Sequence, residues 1–256
     1  MKNAKSFCAI AGIIGGLTML SGASSADQLP PPPGSAPQPP SPLSELSAEW
    51  WQWVYSIPQP YAADTALSNP LFDTTGASCM VGQRGSVWFL AGTNGTTGPA
   101  TRSCSVPEGA SIFFPVINFS NINTPNCPSG TGSMDVKALQ AVLPPAIESV
   151  KSLFVTVDTA DVTKTLVKLV QSPPFELAFP AQNVFGQNPC NPKVTLAPLP
   201  AGIYSPAVAA GYYVWLPPLK PGSHAIAFSA SGGTSFFGSN VQNVTYSITV
   251  VPVSLK

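Results

Sequence analysis

The chain has 256 residues with 11 basic and 11 acidic side chains, so its formal net charge is zero and charged residues make up only 9%, against about 25% in an ordinary soluble domain. That balance excludes a dedicated nucleic-acid binder, which needs clustered Lys and Arg to displace phosphate counterions, and it removes long-range steering of charged partners. A hydrophobic fraction of 44% excludes wholesale disorder.

Lys2 and Lys5 give a positive start, Phe7 to Leu20 is apolar, and Ser24 and Ala26 supply the small residues a signal peptidase needs. Residues 1–26 therefore read as a secretory signal peptide cut after Ala26. The apolar run is shorter than the ~20 residues of a bilayer span, and no later stretch is long enough. The mature chain is expected to lack a transmembrane segment and to reside in the periplasm or outside the cell. Four cysteines remain: Cys79, Cys104, Cys127 and Cys190. An even number in an exported chain reads as two disulfides. Of the three pairings, Cys79–Cys104 with Cys127–Cys190 closes the smallest loops. Zinc is disfavoured because there is no C-x-x-C and a single histidine, and neither a metal nor a cofactor is expected.

Residues 27–43 are proline-rich and read as an extended tether. Residues 44–256 read as a single β-sandwich domain that opens with a tryptophan-rich helix. Ser41 can cap that helix and Pro42 suits its first position. Leu43, Leu46, Trp50, Trp53, Val54 and Ile57 recur at helical spacing, and Pro58 ends it. Trp51 and Tyr55 sit four apart, rotated off that stripe. Either the helix lies in a groove and buries both sides, or the pair is exposed for a sugar ring or a partner. The cost of wet tryptophans favours the first reading.

Beyond about residue 81, β signals dominate. Val87–Leu90 and Ser111–Phe114 are short apolar runs, and Val116–Phe119 continues the second past Pro115, where a bend or an edge strand is expected. Residues 118–132 read as a long loop pinned by Cys127. A second helical region spans 134–153, interrupted at Pro144 and Pro145. Phe154–Asp158 then turns into a strand near 162–170. Phe175–Phe179 alternates as a half-buried strand, and 180–210 reads as loop. Tyr212–Leu216 is a strand, followed by a proline turn and by a strand placing His224, Ile226 and Phe228 on one face. After a Gly/Ser loop, Val244, Tyr246, Ile248 and Val250 alternate with polar residues. The pattern predicts a mainly β fold, an antiparallel β-sandwich, immunoglobulin-like or jelly-roll-like, with two short helical segments at its side.

Several stretches carry a resemblance: Trp50-Trp51-Gln52-Trp53, Asp73-Thr74-Thr75-Gly76-Ala77-Ser78-Cys79, and Gly82-Gln83-Arg84-Gly85-Ser86-Val87-Trp88-Phe89-Leu90-Ala91-Gly92. With these, the chain resembles a widespread group of uncharacterised exported bacterial proteins. Leu219–His224 and Val244–Tyr246 also resemble the closing strands of immunoglobulin-like modules. The resemblance implies bacterial export and a Cys79–Cys104 bridge, and it implies no activity.

Catalytic signatures are missing from the sequence: it has no G-x-S-x-G, H-E-x-x-H or phosphate-binding loop. His224 lies in phase with Ile226 and Phe228, which favours a packed or turn-satisfied histidine over a base. Asp73 and Asp158 sit in turns that echo the D-T-G of aspartic proteases, but ordinary turn chemistry explains both. Glu45 and Glu49 are the acids within an aromatic-rich segment. The favoured function is a secreted non-enzymatic protein that binds a glycan or another surface ligand. Its candidate platforms are Trp51, Tyr55, Trp88 and Trp215, helped by Gln52, Gln83 and Arg84, because sugar recognition combines flat apolar faces with amide and guanidinium hydrogen bonds. The alternatives are a structural or adhesive envelope protein with protein partners, and a hydrolase with an unrecognised carboxylate site. The sequence specifies no oligomeric state.

Overall fold

The structure is a computed structural model that describes residues 39, 41–60, 68–95, 98–125, 132–185 and 199–252. The expected signal peptide 1–26, residues 27–38 and 40 of the tether, and the expected Cys127–Cys190 bridge lie outside the described residues.

Two five-stranded sheets face each other. The first has the order β1 (Val87–Phe89), β3 (Ser111–Ile122), β8 (Gly202–Leu216), β6 (Lys168–Gln171), with β7 (Phe175–Phe179) also paired to β8. The second runs β2 (Ala100–Pro107), β10 (Gly238–Val251), β9 (Gly222–Thr234), β4 (Lys151–Val157), β5 (Ala160–Asp161). The expected β-sandwich with short helices is observed. Neighbours are antiparallel except at one edge of each sheet, where β1 pairs β3 and β2 pairs β10 in parallel.

The first sheet is buried on both faces. Ile112, Phe114, Val208 and Val214 point into the core between the sheets. Phe113, Ala207, Ala209 and Tyr213 point the other way, into a second core closed by α1 (Leu43–Ser56). Double burial is why β3 reads as an unbroken apolar run rather than an alternating one. The register shifts between Pro115 and Ile117, so the proline marks a bulge within a long strand. Two short helices, α2 (Val136–Ala141) and α3 (Leu143–Glu148), insert Leu139, Leu143 and Ala146 into the core between the sheets. Asp135 caps α2 by accepting from the Ala138 amide at 2.8 Å. Pro144 and Pro145 fall in the first turn of α3, where their missing N–H groups cost nothing.

Several expectations are corrected. Pro42 is the N-cap of α1, with no side-chain cap hydrogen bond from Ser41. The expected strand 162–170 is instead α4 (Thr163–Leu166) followed by β6. The chain crosses there from the second sheet to the first, which a straight strand could not do. The expected loop 180–210 gives way to β8 at Gly202. Its Ala207, Ala209 and Gly211 are too small to show apolar alternation, and a Cβ on Gly211 would meet the Asn118 side chain at 2.5 Å. The expected Gly/Ser loop is paired β9–β10 hairpin from Gly238↔Thr234 onward.

Candidate functional site

Helix α1 fixes the geometry of the region where the candidate residues gather. Its buried stripe of Leu46, Trp50, Trp53 and Val54 lies on the first sheet. Trp50 Nε1 donates to the Leu90 carbonyl and Trp53 Nε1 to the Val81 carbonyl, both at 2.9 Å. The fully buried Asn69 donates to the carbonyls of Val54 and Ile57 at 2.6 and 2.8 Å, satisfying the helix C-terminus. Rotation of α1 about its axis is thereby blocked.

Five of the seven candidate ligand residues serve the fold. Trp51 and Tyr55 are 6% and 8% exposed, so α1 buries both sides as the favoured reading expected, and the pair is corrected as a candidate ligand platform. The Tyr55 ring packs between Trp51, Phe179 and Phe185, and its hydroxyl shares a 3.2 Å hydrogen bond with Ser120 Oγ. Burial pushes that phenol well above its ordinary titration range. α1 therefore buries two flanks, because the segment carrying Phe179 and Phe185 closes over the side that periodicity alone leaves open. Trp88 is buried in the core between the sheets, and Trp215 is half-buried against the α1 core. Gln83 spends its amide on the backbone. Its Nε2 donates to the Cys79 and Phe89 carbonyls at 2.9 and 2.7 Å, and its Oε1 accepts from the Phe89 amide at 2.9 Å.

The remaining two, Gln52 and Arg84, face the same groove. It lies between α1 and residues 82–87, has a volume of about 510 Å³, and is also lined by Glu49, Ser56 and the edges of Trp53 and Phe89. Gln52 donates from Nε2 to the Glu176 carbonyl at 3.0 Å. Arg84 and Glu49 are exposed, and neither has a hydrogen-bond or ion-pair partner among the described residues. Partial burial, with the nearby Glu45 charge as a smaller cause, raises the Glu49 carboxyl above its usual range. The walls thus offer a guanidinium, a carboxylate and amide groups to a ligand.

Three titratable groups outside the groove, Asp73, Asp158 and His224, are committed to the fold. Asp73 accepts from the amides of Thr75, Gly76 and Ser78 and from the Thr75 hydroxyl at 2.8 to 3.0 Å. Burial alone would raise its carboxyl, but those donors outweigh it and hold it below the ordinary range. Asp73 is a loop organiser rather than an acid catalyst. Gly76 in the same loop has φ +93°, and a Cβ there would collide with the Ser103 carbonyl, so the D-T-T-G stretch is shaped by its seat on β2. The loop is bridged to β2 by the disulfide Cys79–Cys104. Asp158 opens the two-residue turn between β4 and β5, where Asp158 and Thr159 both have positive φ. Its carboxylate takes His224 Nδ1 at 2.6 Å and the Ala225 amide at 2.8 Å, while His224 Nε2 faces the Lys220 carbonyl at 2.8 Å. Acceptors at both ring nitrogens favour the protonated ring. The hydrogen bond to Asp158 raises the histidine and lowers the aspartate, and both ring nitrogens of His224 are engaged within the fold.

One residue escaped sequence reasoning. Arg102 is 1% exposed, and it donates to the carbonyls of Asp73, Ala91 and Gly92 and to the Tyr246 hydroxyl. It occupies an inward position of β2, where a guanidinium leaves no apolar signal.

No protein-family profile matches the chain, and no curated protein does. Among solved structures, a family 123 glycoside hydrolase from Clostridium perfringens aligns at 12% identity with a TM-score of 0.20. The alignment covers 59% of this chain and 23% of that one. Likeness at that level carries no functional argument. No helix among the described residues is long and apolar enough to cross a membrane, and no cluster of three metal-ligating side chains occurs among them.

Proposed function

We propose that the protein is an exported, non-enzymatic binding protein of the group its sequence resembles, and that it takes a glycan in the groove between α1 and residues 82–87. The supporting observation is the division among its polar side chains. Gln83, Asp73, Arg102, Asp158 and His224 are consumed by the fold, whereas Arg84 and Glu49 line one groove with no hydrogen-bond or ion-pair partner among the described residues. A sugar hydroxyl donates and accepts at once, so a single ring can serve a carboxylate, a guanidinium and an amide oxygen. Recognition then rests on hydrogen bonds at the groove walls rather than on stacked aromatic faces. Export is supported by the leader pattern of residues 1–26 and by the Cys79–Cys104 bridge, since disulfides persist in oxidising compartments.

A glycan-array screen of the mature chain tests the reading. Arg84→Ala should weaken binding of any hit about tenfold, the effect of losing a charge-assisted hydrogen bond worth ~1.5 kcal/mol or more, with an unchanged melting temperature. An array without hits, or an Arg84→Ala protein that binds like wild type, would reject it. A hydrolase is the second reading, favoured by the raised Glu49 carboxyl one helical turn from Glu45. Reducing ends released from a bound glycan by wild type but not by Glu49→Gln would establish it instead.

A further inference from the structure

Resting on that reading, we infer that the groove selects neutral glycans and rejects acidic ones, because α1 holds two glutamates beside it, Glu49 in its lining and Glu45 one turn beyond, against a single cation. Glu45, Glu49, Gln52 and Ser56 are all exposed, and their spacing of four, three and four residues places them along one side of α1. The groove is lined by three of the four, and Glu45 continues the stripe one turn beyond Glu49. The stripe cannot turn away from a ligand. Trp50 and Trp53 are tied to the Leu90 and Val81 carbonyls, and Asn69 holds the last turn.

Arg84 is the one basic residue lining the opposite wall. It stands in a turn shaped by Gly82 and Gly85, whose φ values of +68° and +71° favour glycine. No ion pair within the described residues neutralises either glutamate. The local balance is therefore two carboxylates against one guanidinium. A neutral sugar can donate to Glu49 and accept from Arg84 without introducing charge. A uronate or sulfated sugar that pairs its anion with Arg84 adds negative charge to a groove whose helical wall carries Glu49. Partial burial and the charge of Glu45 raise the Glu49 carboxyl, and a further anion beside it meets the same two penalties.

The experiment measures binding of the wild-type mature chain at low salt to two probe panels. One holds neutral gluco-, malto-, manno- and chito-hexaoses, and the other oligogalacturonates and sulfated oligosaccharides of matched length. The same measurements are made on Glu45→Gln/Glu49→Gln. Both sites are exposed, and far-UV circular dichroism confirms that the variant is folded. The expected result is a neutral hexaose bound at least tenfold more tightly than its acidic counterparts. The gap should narrow in the double variant and with rising ionic strength. An acidic probe bound as tightly as the best neutral one, or a gap that the double variant leaves intact, overturns the inference while glycan binding stands. No binding to either panel by folded wild type overturns the glycan reading, and this inference with it.

Discussion

Replacing Arg102 by methionine removes the donors from four acceptors at once while keeping most of the side chain's length. Its Nε serves the Asp73 carbonyl at 2.7 Å, Nη1 serves the Ala91 carbonyl and the Tyr246 hydroxyl at 2.6 Å each, and Nη2 serves the Gly92 carbonyl at 3.1 Å. The site is 1% exposed, so water cannot replace these donors without disrupting the packing. A buried acceptor left unmatched costs about 1–3 kcal/mol. The Tyr246 hydroxyl and the Ala91 carbonyl still bond to each other at 2.9 Å, so the Asp73 and Gly92 carbonyls are the two left unmatched, and even at the low end they give a loss on the order of 2 kcal/mol. For a chain of this size each kcal/mol lowers the melting temperature by about 2–4 °C, so Arg102→Met should melt roughly 4–8 °C or more below wild type. Tyr246→Phe is the companion change. That hydroxyl accepts from Arg102 and from the Ala91 amide at 3.2 Å and donates to the Ala91 carbonyl at 2.9 Å, so its removal should cost about 1–3 kcal/mol. Because the two share a network, the double variant should depart from additivity by about 0.5 kcal/mol or more. Urea and thermal denaturation followed by circular dichroism, with the disulfide intact, read all three variants. A loss below about 1 kcal/mol for Arg102→Met would refute the assigned network.

Trp51→Ala should destabilise about as much as Trp50→Ala, ~3–5 kcal/mol each for a buried Trp, with glycan affinity of the folded fraction unchanged. A Trp51→Ala protein that melts like wild type but loses ligand would restore the aromatic platform. Stability should also show a plateau set by the Asp158–His224 pair. The aspartate is lowered, so its contribution is complete above its ordinary value of about 4 and is lost as pH falls through the lowered one. The histidine is raised, so its contribution is complete below its ordinary value of about 6.5 and is lost as pH rises through the raised one. Chemical denaturation midpoints should therefore be highest between about pH 4 and 6.5 for this pair, and His224→Gln should flatten the alkaline side. An unchanged alkaline slope in His224→Gln would show that the pair contributes nothing.

The anchoring face of α1 was legible because Leu46, Trp50, Trp53 and Val54 repeat with the helical period. The cost of wet tryptophans favoured burial of Trp51 and Tyr55, but what covers them was not legible, since periodicity gives the direction of a side chain and says nothing of what lies beside the helix. Phe179 and Phe185, which pack on Tyr55, lie more than 120 residues downstream. The last two strands were readable from the alternation of Val244, Tyr246, Ile248 and Val250. β2 was hidden, because a guanidinium occupies one of its inward positions and spoils the apolar alternation. The groove was half legible. Gln52 and Arg84 stood out as hydrogen-bonding residues, but they were enlisted as helpers to aromatic rings that turned out to be buried. Glu49 stood out only as an acid among tryptophans, and that Arg84 shares its groove is a property of the tertiary structure.

The pairing of β2 with β10 joins residues 100–107 to residues 244–251, and α1 rests on strands that include residues 202–216. Each layer thus closes through strands far apart in the sequence. Loop-closure entropy must be met before such distant contacts return any free energy, so folding of this topology is slow compared with that of a helical bundle of equal stability. Neither core is complete until those distant strands have paired. That delay suits the proposed route of export, in which the polypeptide crosses a membrane unfolded. The Cys79–Cys104 bridge, by contrast, joins residues only 25 apart. It can form early on the far side, tying the Asp73 loop to β2 before β10 arrives to pair with that strand.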